Sequence, residues 1–301
     1  MVESQDKLGC CLSFIVGHLS GQRADDDQDK VMFVGLNGVQ GSGKTTLVSA
    51  IAEKLRQPPH SFPTIVLSID DLYLTHEEQT KLTSAHPTNP LIQHRGQPST
   101  HDLPLALSLF SDLRNSKETR IPRYDKSAYS GQGDRTPEET WLVVNQAGQP
   151  SVKVVLFEGW CVGFRALSEN DLEAKWNDAK TQRDSMNYRG RLGFTRLEDV
   201  KFINDALHAY DQLTDQLDLL IHLDAVDPLY VYPWRKQAEQ GLRETKGAGM
   251  TDEQVVRFVD GYYPAYELFT DSLRNGALKC EGRQLRLVIR KDRTLERIVK
   301  L

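Results

Sequence analysis

Cysteine is scarce in this 301-residue sequence: Cys10, Cys11, Cys161 and Cys280 are the four present, and none has metal-ligand or redox spacing. That excludes a disulfide scaffold and fits a reducing compartment. Long apolar runs are also missing. The nearest, Leu8 to Gln22, is formally uncharged but short, and Gly9, Gly17, His18 and Gly21 interrupt it, so no membrane partner is expected. Glu3 and Asp6 beside Lys7 give the wrong sign for a secretory leader. Basic charge is not in excess either: 37 Lys and Arg face 42 Asp and Glu, a net charge of −5. A protein that holds nucleic acid by bulk charge is thereby excluded. What the chain does have, at 39% hydrophobic and 26% charged residues, is enough to bury a core.

Five near-continuous apolar runs, Val31–Leu36, Thr64–Ile69, Val152–Phe157, Leu217–Leu223 and Leu285–Ile289, have the pattern of strands buried on both faces. Helical periodicity separates them, as in Leu47, Ile51 and Leu55, or Val200, Ile203, Leu207, Tyr210 and Leu213. The expected fold is α/β: a parallel five-stranded core sheet with helices on both faces, over residues 31–301. Residues 1–30 are expected to add a helix outside the sheet and an acidic connector. The stretch Ile121–Pro150 is irregular and long enough to expect a functional role. Thr251 to Gln254 matches a capping box, starting a helix that Pro264 should bend or end.

Ligands of such sheets bind at the carboxyl ends of the strands. After the first strand comes Gly38-Val-Gln40-Gly41-Ser42-Gly43-Lys44-Thr45, followed by Thr46 and an amphipathic helix. This is a P-loop in its required strand-to-helix context. Its backbone N–H groups converge on phosphates at the positive helix end; Lys44 reaches the β- and γ-phosphates, and the Thr45 hydroxyl is placed for Mg²⁺. No guanine-reading N-K-x-D tetrad is present, which favours ATP.

The second strand ends in Ser68-Ile-Asp70-Asp71-Leu-Tyr73, and the third in Phe157-Glu158-Gly159-Trp160. A carboxylate at the first tip is placed to take the proton of an attacking hydroxyl, and Asp70 is the choice, with Asp71 beside it. Glu158 occupies the Walker B position as an Mg²⁺ ligand, with Asp70 a further candidate. Adjacent Asp residues also cap helices, and a buried Glu also serves a structural ion pair.

Together these motifs resemble the phosphoribulokinase, uridine kinase and pantothenate kinase superfamily of P-loop kinases. The sequence resembles more closely the D-glycerate 3-kinase family of plants and its fungal ATP-binding kinase relatives. The resemblance extends through Arg95-Gly96 with His101-Asp102-Leu-Pro104, Ile121 to Ser127, Gly131–Arg135, Trp234-Arg235-x-Gln237-x-Glu239, and Gly249 to Tyr266. It implies Mg²⁺- and ATP-dependent phosphorylation of a small hydroxylated acid, D-glycerate to 3-phosphoglycerate first among them. It also implies that Asp70 is the base, that Glu158 serves the metal, and that a helical lid over about 227–249 brings Arg235, or Arg243 or Lys246, onto the transferring phosphate. Pro233, just before Trp234, departs from the family pattern at the start of that lid.

A carboxylate-bearing acceptor or polyol calls for basic and polar partners, so Arg95, Arg123 and Lys126 are candidates, with Asp71, Tyr73, His101 and Asp102. Asp102 equally reads as a helix N-cap with Pro104 in the first turn. After the last strand, Arg290–Arg293 lies where an adenine would pack. Other acceptors, pantothenate- or nucleoside-like, and a nucleotide-binding regulator with little turnover remain alternatives. Cytoplasm is the default location, with the nucleus compatible; Val299-Lys-Leu301 lacks the small first residue of a peroxisomal tripeptide.

Overall fold

The computed structural model of the chain describes residues 6–22, 30–247 and 249–301. The expected acidic connector lies almost wholly outside them. In chain order the elements are α1 (Lys7–Gln22), β1 (Met32–Gly38), α2 (Lys44–Arg56), β2 (Thr64–Ser68), α3 (His76–Ala85), α4 (Leu103–Arg114), the short strands β3 (Thr119–Ile121), β4 (Tyr124–Asp125), β5 (Asp134–Arg135) and β6 (Leu142–Val144), then β7 (Val154–Gly159), α5 (Glu169–Gln182), α6 (Leu197–Thr214), β8 (Leu219–Ala225), α7 (Val231–Lys246), α8 (Asp252–Arg274), β9 (Gln284–Ile289) and β10 (Leu295–Lys300).

The central sheet has six strands in the order β10-β9-β8-β1-β7-β2. Five are parallel, and β10 returns antiparallel along β9. The expected count of five is therefore one short. Strand β10 reads Leu-Glu-Arg-Ile-Val-Lys and is half exposed at the sheet edge, so it lacks the apolar run that marks the buried strands.

Alternate residues of the buried strands enter two separate cores. Phe33, Val155, Phe157 and Leu220 face the side covered by Phe110 of α4, Leu207 of α6 and Phe269 of α8. Met32, Val34, Leu156 and Ile221 face Phe14 and Ile15 of α1 and Ile51 and Leu55 of α2. The sheet is thus covered on both faces, as its doubly apolar strands require.

Register brings the functional strand tips level. Asn37 of β1 pairs with Gly159 of β7, and Glu158 pairs with Ser68 of β2. The irregular 121–150 stretch folds into two small two-stranded sheets, β3 with β6 and β4 with β5, lying after α4. The capping box at Thr251 is present, but α8 continues through Pro264 to Arg274. There the Gln97 side chain donates to the Gly261 carbonyl at 2.8 Å, and burial of Tyr263, Ala265 and Tyr266 holds the helix in place. Packing outweighs the proline's local cost.

Candidate active site

Between β1 and α2 the chain turns through Gly41 at φ 77° and Gly43 at φ 94°, left-handed conformations that favour glycine. The Lys44 ammonium lies inside this turn, donating to the carbonyl oxygens of Gly38 at 2.6 Å and Val39 at 3.1 Å. Burial pushes its pKa down, against the fields of Glu158 and Asp70. Thr45 lies in the exposed first turn of α2.

Beyond β2 the chain makes a single tight turn, Ile69–Leu72. Ser68 Oγ accepts from the Asp70 backbone N–H at 3.3 Å. Asp70 Oδ1 accepts from Tyr73 Oη at 2.9 Å, and Oδ2 from Lys126 Nζ at 2.6 Å. Burial alone would raise the Asp70 pKa, but the Lys126 charge and these hydrogen bonds outweigh it and hold the carboxyl below its ordinary value. At the tip of β7 the Glu158 carboxyl is pushed up by burial, with Lys44 opposing and Asp70 adding repulsion. Asp71 is also raised by burial; one oxygen accepts from the Tyr124 backbone N–H at 3.2 Å.

These groups share one cleft of about 1040 Å³. Lys44, Thr45, Ser68, Asp70, Glu158, Arg95, Lys126, Arg235, Phe258 and Tyr262 all line it, and the Tyr262 hydroxyl donates to the Arg95 carbonyl at 3.2 Å. Arg235 bonds Glu239, whose other oxygen accepts from the Met250 N–H at 2.9 Å. The Arg235 guanidinium lies 4.7 Å from the centre of the Phe258 ring, and its Nε is a buried donor without a protein partner among the described residues. The neighbouring Trp234 is buried and donates to the Lys291 carbonyl at 2.6 Å, so the start of α7 is anchored. Pro233 sits in its first turn, where a missing N–H costs no intrahelical bond.

Several known kinases are similar to this chain. Over 250 residues the chain is 36% identical to the uncharacterized kinase mug58 of Schizosaccharomyces pombe, spanning 82% of this chain and 84% of that one. It is 35% identical over 254 residues to the chloroplastic D-glycerate 3-kinase of Arabidopsis thaliana, covering 83% of this chain and 50% of the plant protein. The solved D-glycerate 3-kinase of Cryptococcus neoformans var. grubii superposes with a TM-score of 0.89 at 30% identity, over 98% of this chain and 99% of that one. No protein-family model matches. The chain belongs to the D-glycerate 3-kinase family, with its fungal kinase relatives. It is a P-loop kinase.

Within this kinase not every residue singled out from sequence reaches the cleft. Asp102 caps α4, accepting from the Leu105 N–H at 3.0 Å, and pairs with Arg135 at 2.9 Å. His101 is buried behind the site: its ring stacks on Tyr73 with centroids 4.6 Å apart, and Nδ1 lies 2.7 Å from Tyr210 Oη. Burial pushes its pKa down to about 4, against the Asp70 charge, so it supports Tyr73 as a neutral ring. Arg123 is exposed outside the cleft lining. Arg243 holds the α7–α8 junction through the Met250 carbonyl and Asp252, and the Lys246 side chain lies outside what is described. Arg293 reaches the P-loop itself, its Nε donating to the Gly41 carbonyl at 2.7 Å.

Gln79, Gln93, His94, Gln254 and Phe258 line the cleft without having been singled out, and Tyr262, readable from sequence as core or pocket wall, lines it as well. Gln254 was visible only as part of a capping box, and Phe258 and Tyr262 continue its helix at four-residue spacing. That spacing marks a helix face without saying what the face adjoins. Among the described residues, no helix is long and apolar enough to cross a membrane.

Proposed function

We propose that this kinase transfers the γ-phosphoryl group of ATP to a hydroxyl of D-glycerate, forming 3-phosphoglycerate. The observation that carries the reaction type is the convergence of Lys44, Thr45, Asp70 and Glu158 in one cleft. The acceptor rests on the named D-glycerate 3-kinases among its relatives.

The donors present suit Mg²⁺. Among the described residues no three His, Cys, Asp or Glu side chains form a metal cage, and Mg²⁺ accompanying nucleotide phosphates needs few protein ligands. The Thr45 hydroxyl and Glu158 carboxylate would hold it, leaving Asp70 for the proton. Its buried position gives Glu158 reason to face a cation. Bound there, the ion would neutralise charge on the phosphates.

The protein's own part is positioning and charge. The glycine turn offers backbone N–H groups to the phosphates, and Lys44 is placed to leave its loop carbonyls for phosphate oxygens. Asp70 accepts the acceptor's hydroxyl proton as that oxygen bonds to the γ-phosphorus and the bond to the β-phosphate oxygen breaks, releasing ADP. Arg235, which lines the cleft, brings its positive charge to the transferring group. Anchored through Trp234 and held by Glu239, it is organised before reaction, so any lid motion of the 227–249 segment belongs to its later turns. An acceptor panel of D-glycerate, pantothenate, uridine and glycerol with ATP and Mg²⁺ tests this reading. The expected result is 3-phosphoglycerate as the dominant product; preference for another acceptor would replace the substrate.

A further inference from the structure

Four Lys and Arg side chains line the cleft among the described residues: Lys44, Arg95, Lys126 and Arg235. Three already have another task. Lys44 belongs to the phosphate turn, and Arg235 is bonded to the buried Glu239. Arg95 donates to the carbonyl oxygens of Gly131 at 2.7 Å, Gln132, and Lys126 at 3.4 Å. A guanidinium gathering backbone carbonyls holds a loop and has few donors left for a ligand. Lys126 is different: its side chain is 56% exposed, and its ammonium partner is Asp70 itself.

That partnership conflicts with the role proposed for Asp70. Both carboxylate oxygens already accept hydrogen bonds, one from Tyr73 and one from Lys126. A hydroxyl approaching Asp70 for proton transfer must compete with the ammonium on Oδ2. An acceptor that brings its own carboxylate offers the ammonium an equivalent partner, and a long lysine side chain can exchange one for the other with little reorganisation.

We propose that Lys126 is the residue that reads the acceptor's carboxylate, leaving Asp70 as it does so, and that Arg95 is a positioning residue that holds the Lys126–Gln132 loop for this exchange. The inference rests on the phosphoryl-transfer reading above and names the chemical class of acceptor: a hydroxy acid small enough for one ammonium to touch its carboxylate while its hydroxyl meets Asp70. A neutral polyol leaves the Lys126–Asp70 pair closed and is phosphorylated poorly for that reason, beyond its weaker binding.

The test compares wild type, Lys126→Met, Lys126→Arg and Arg95→Gln. D-Glycerate is titrated calorimetrically into each with ADP and Mg²⁺, and kcat and KM are measured for D-glycerate and for glycerol. Lys126→Met should bind D-glycerate about 30- to 100-fold more weakly, the scale of a lost charge-assisted contact, and lose at least tenfold less kcat/KM on glycerol. Lys126→Arg should keep most of the affinity. Arg95→Gln should raise the KM for D-glycerate while leaving that for ATP within about twofold. If Lys126→Met binds D-glycerate as the wild type does, or loses glycerol and D-glycerate activity equally, the exchange is overturned. A wild-type chain that transfers phosphate but binds no hydroxy acid overturns both this inference and the acceptor reading; one that binds D-glycerate without transferring phosphate contradicts the kinase chemistry alone.

Discussion

Gly41 of the P-loop lies directly against Trp234 of α7: a β-carbon at Gly41 would sit 2.7 Å from Trp234 Cβ and 3.0 Å from its carbonyl oxygen. The phosphate turn and the helix that carries Arg235 are therefore built against each other. A methyl at this position meets backbone that cannot yield cheaply, in a conformation whose cost for a non-glycine residue is about 1–3 kcal/mol. Gly41→Ala should weaken nucleotide binding at least tenfold by calorimetry, with a smaller loss of thermal stability.

Arg293 fastens the same junction. Its guanidinium joins the Gly41 carbonyl to Gln237 of α7, at 2.7 and 2.8 Å. Its ring neighbour is Trp234, 5.3 Å away. Arg293→Ala should raise the KM for ATP roughly tenfold, in line with two lost hydrogen bonds to a charged donor partly offset by solvation. The KM for the acceptor should change little.

Arg235 should show the opposite division. Its charge matters most when the transferring group carries its greatest charge, so Arg235→Ala should lower kcat by about 10²- to 10³-fold. ATP affinity should fall much less, by about tenfold at most. Glu239→Gln, which loosens the arginine without removing it, should give an intermediate kcat.

Acid stability follows from two buried imidazoles. Burial pushes His101 and His222 down to about 4, against about 6.5 in an unfolded chain. Between these values the unfolded state binds protons that the folded state does not, so stability is intact above pH 6.5 and falls as pH drops towards 4. Each histidine costs about 2 kcal/mol at pH 5. Glu158 and Glu267, raised by burial, pull the other way in that window. The clean measurement is a difference: denaturant unfolding of wild type and His222→Leu at pH 7 and pH 5. The variant should lose about 2 kcal/mol less over that interval.

How much of this was legible before the structure depends on the kind of signal. Strands β1, β2, β7, β8 and β9 announce themselves because burial on both faces demands consecutive apolar residues, and the glycine turn sits where strand and helix patterns meet. Strand β10 carries Glu296, Arg297 and Lys300 on an edge, so no such run exists to find. Of the two outcomes expected at Pro264, a bend or an end, the helix does not end there, because local propensity is read from sequence neighbours whereas the burial of Tyr263, Ala265 and Tyr266 comes from the core. His101 was singled out by its neighbours in the motif; that it stacks behind Tyr73 is a matter of tertiary packing. Tyr262 and Phe258 reach the cleft from a helix some two hundred residues after the P-loop, a proximity that only the folding of α8 along the sheet creates.

The account stands most directly on Asp70 taking the acceptor's proton beside the phosphate turn. Single-turnover transfer from ATP to D-glycerate should be measured for wild type and Asp70→Asn, together with ATP affinity. The predicted result is a rate at least about 10²-fold lower in Asp70→Asn, with ATP affinity within about threefold of wild type. Transfer at the wild-type rate in that variant would contradict the account.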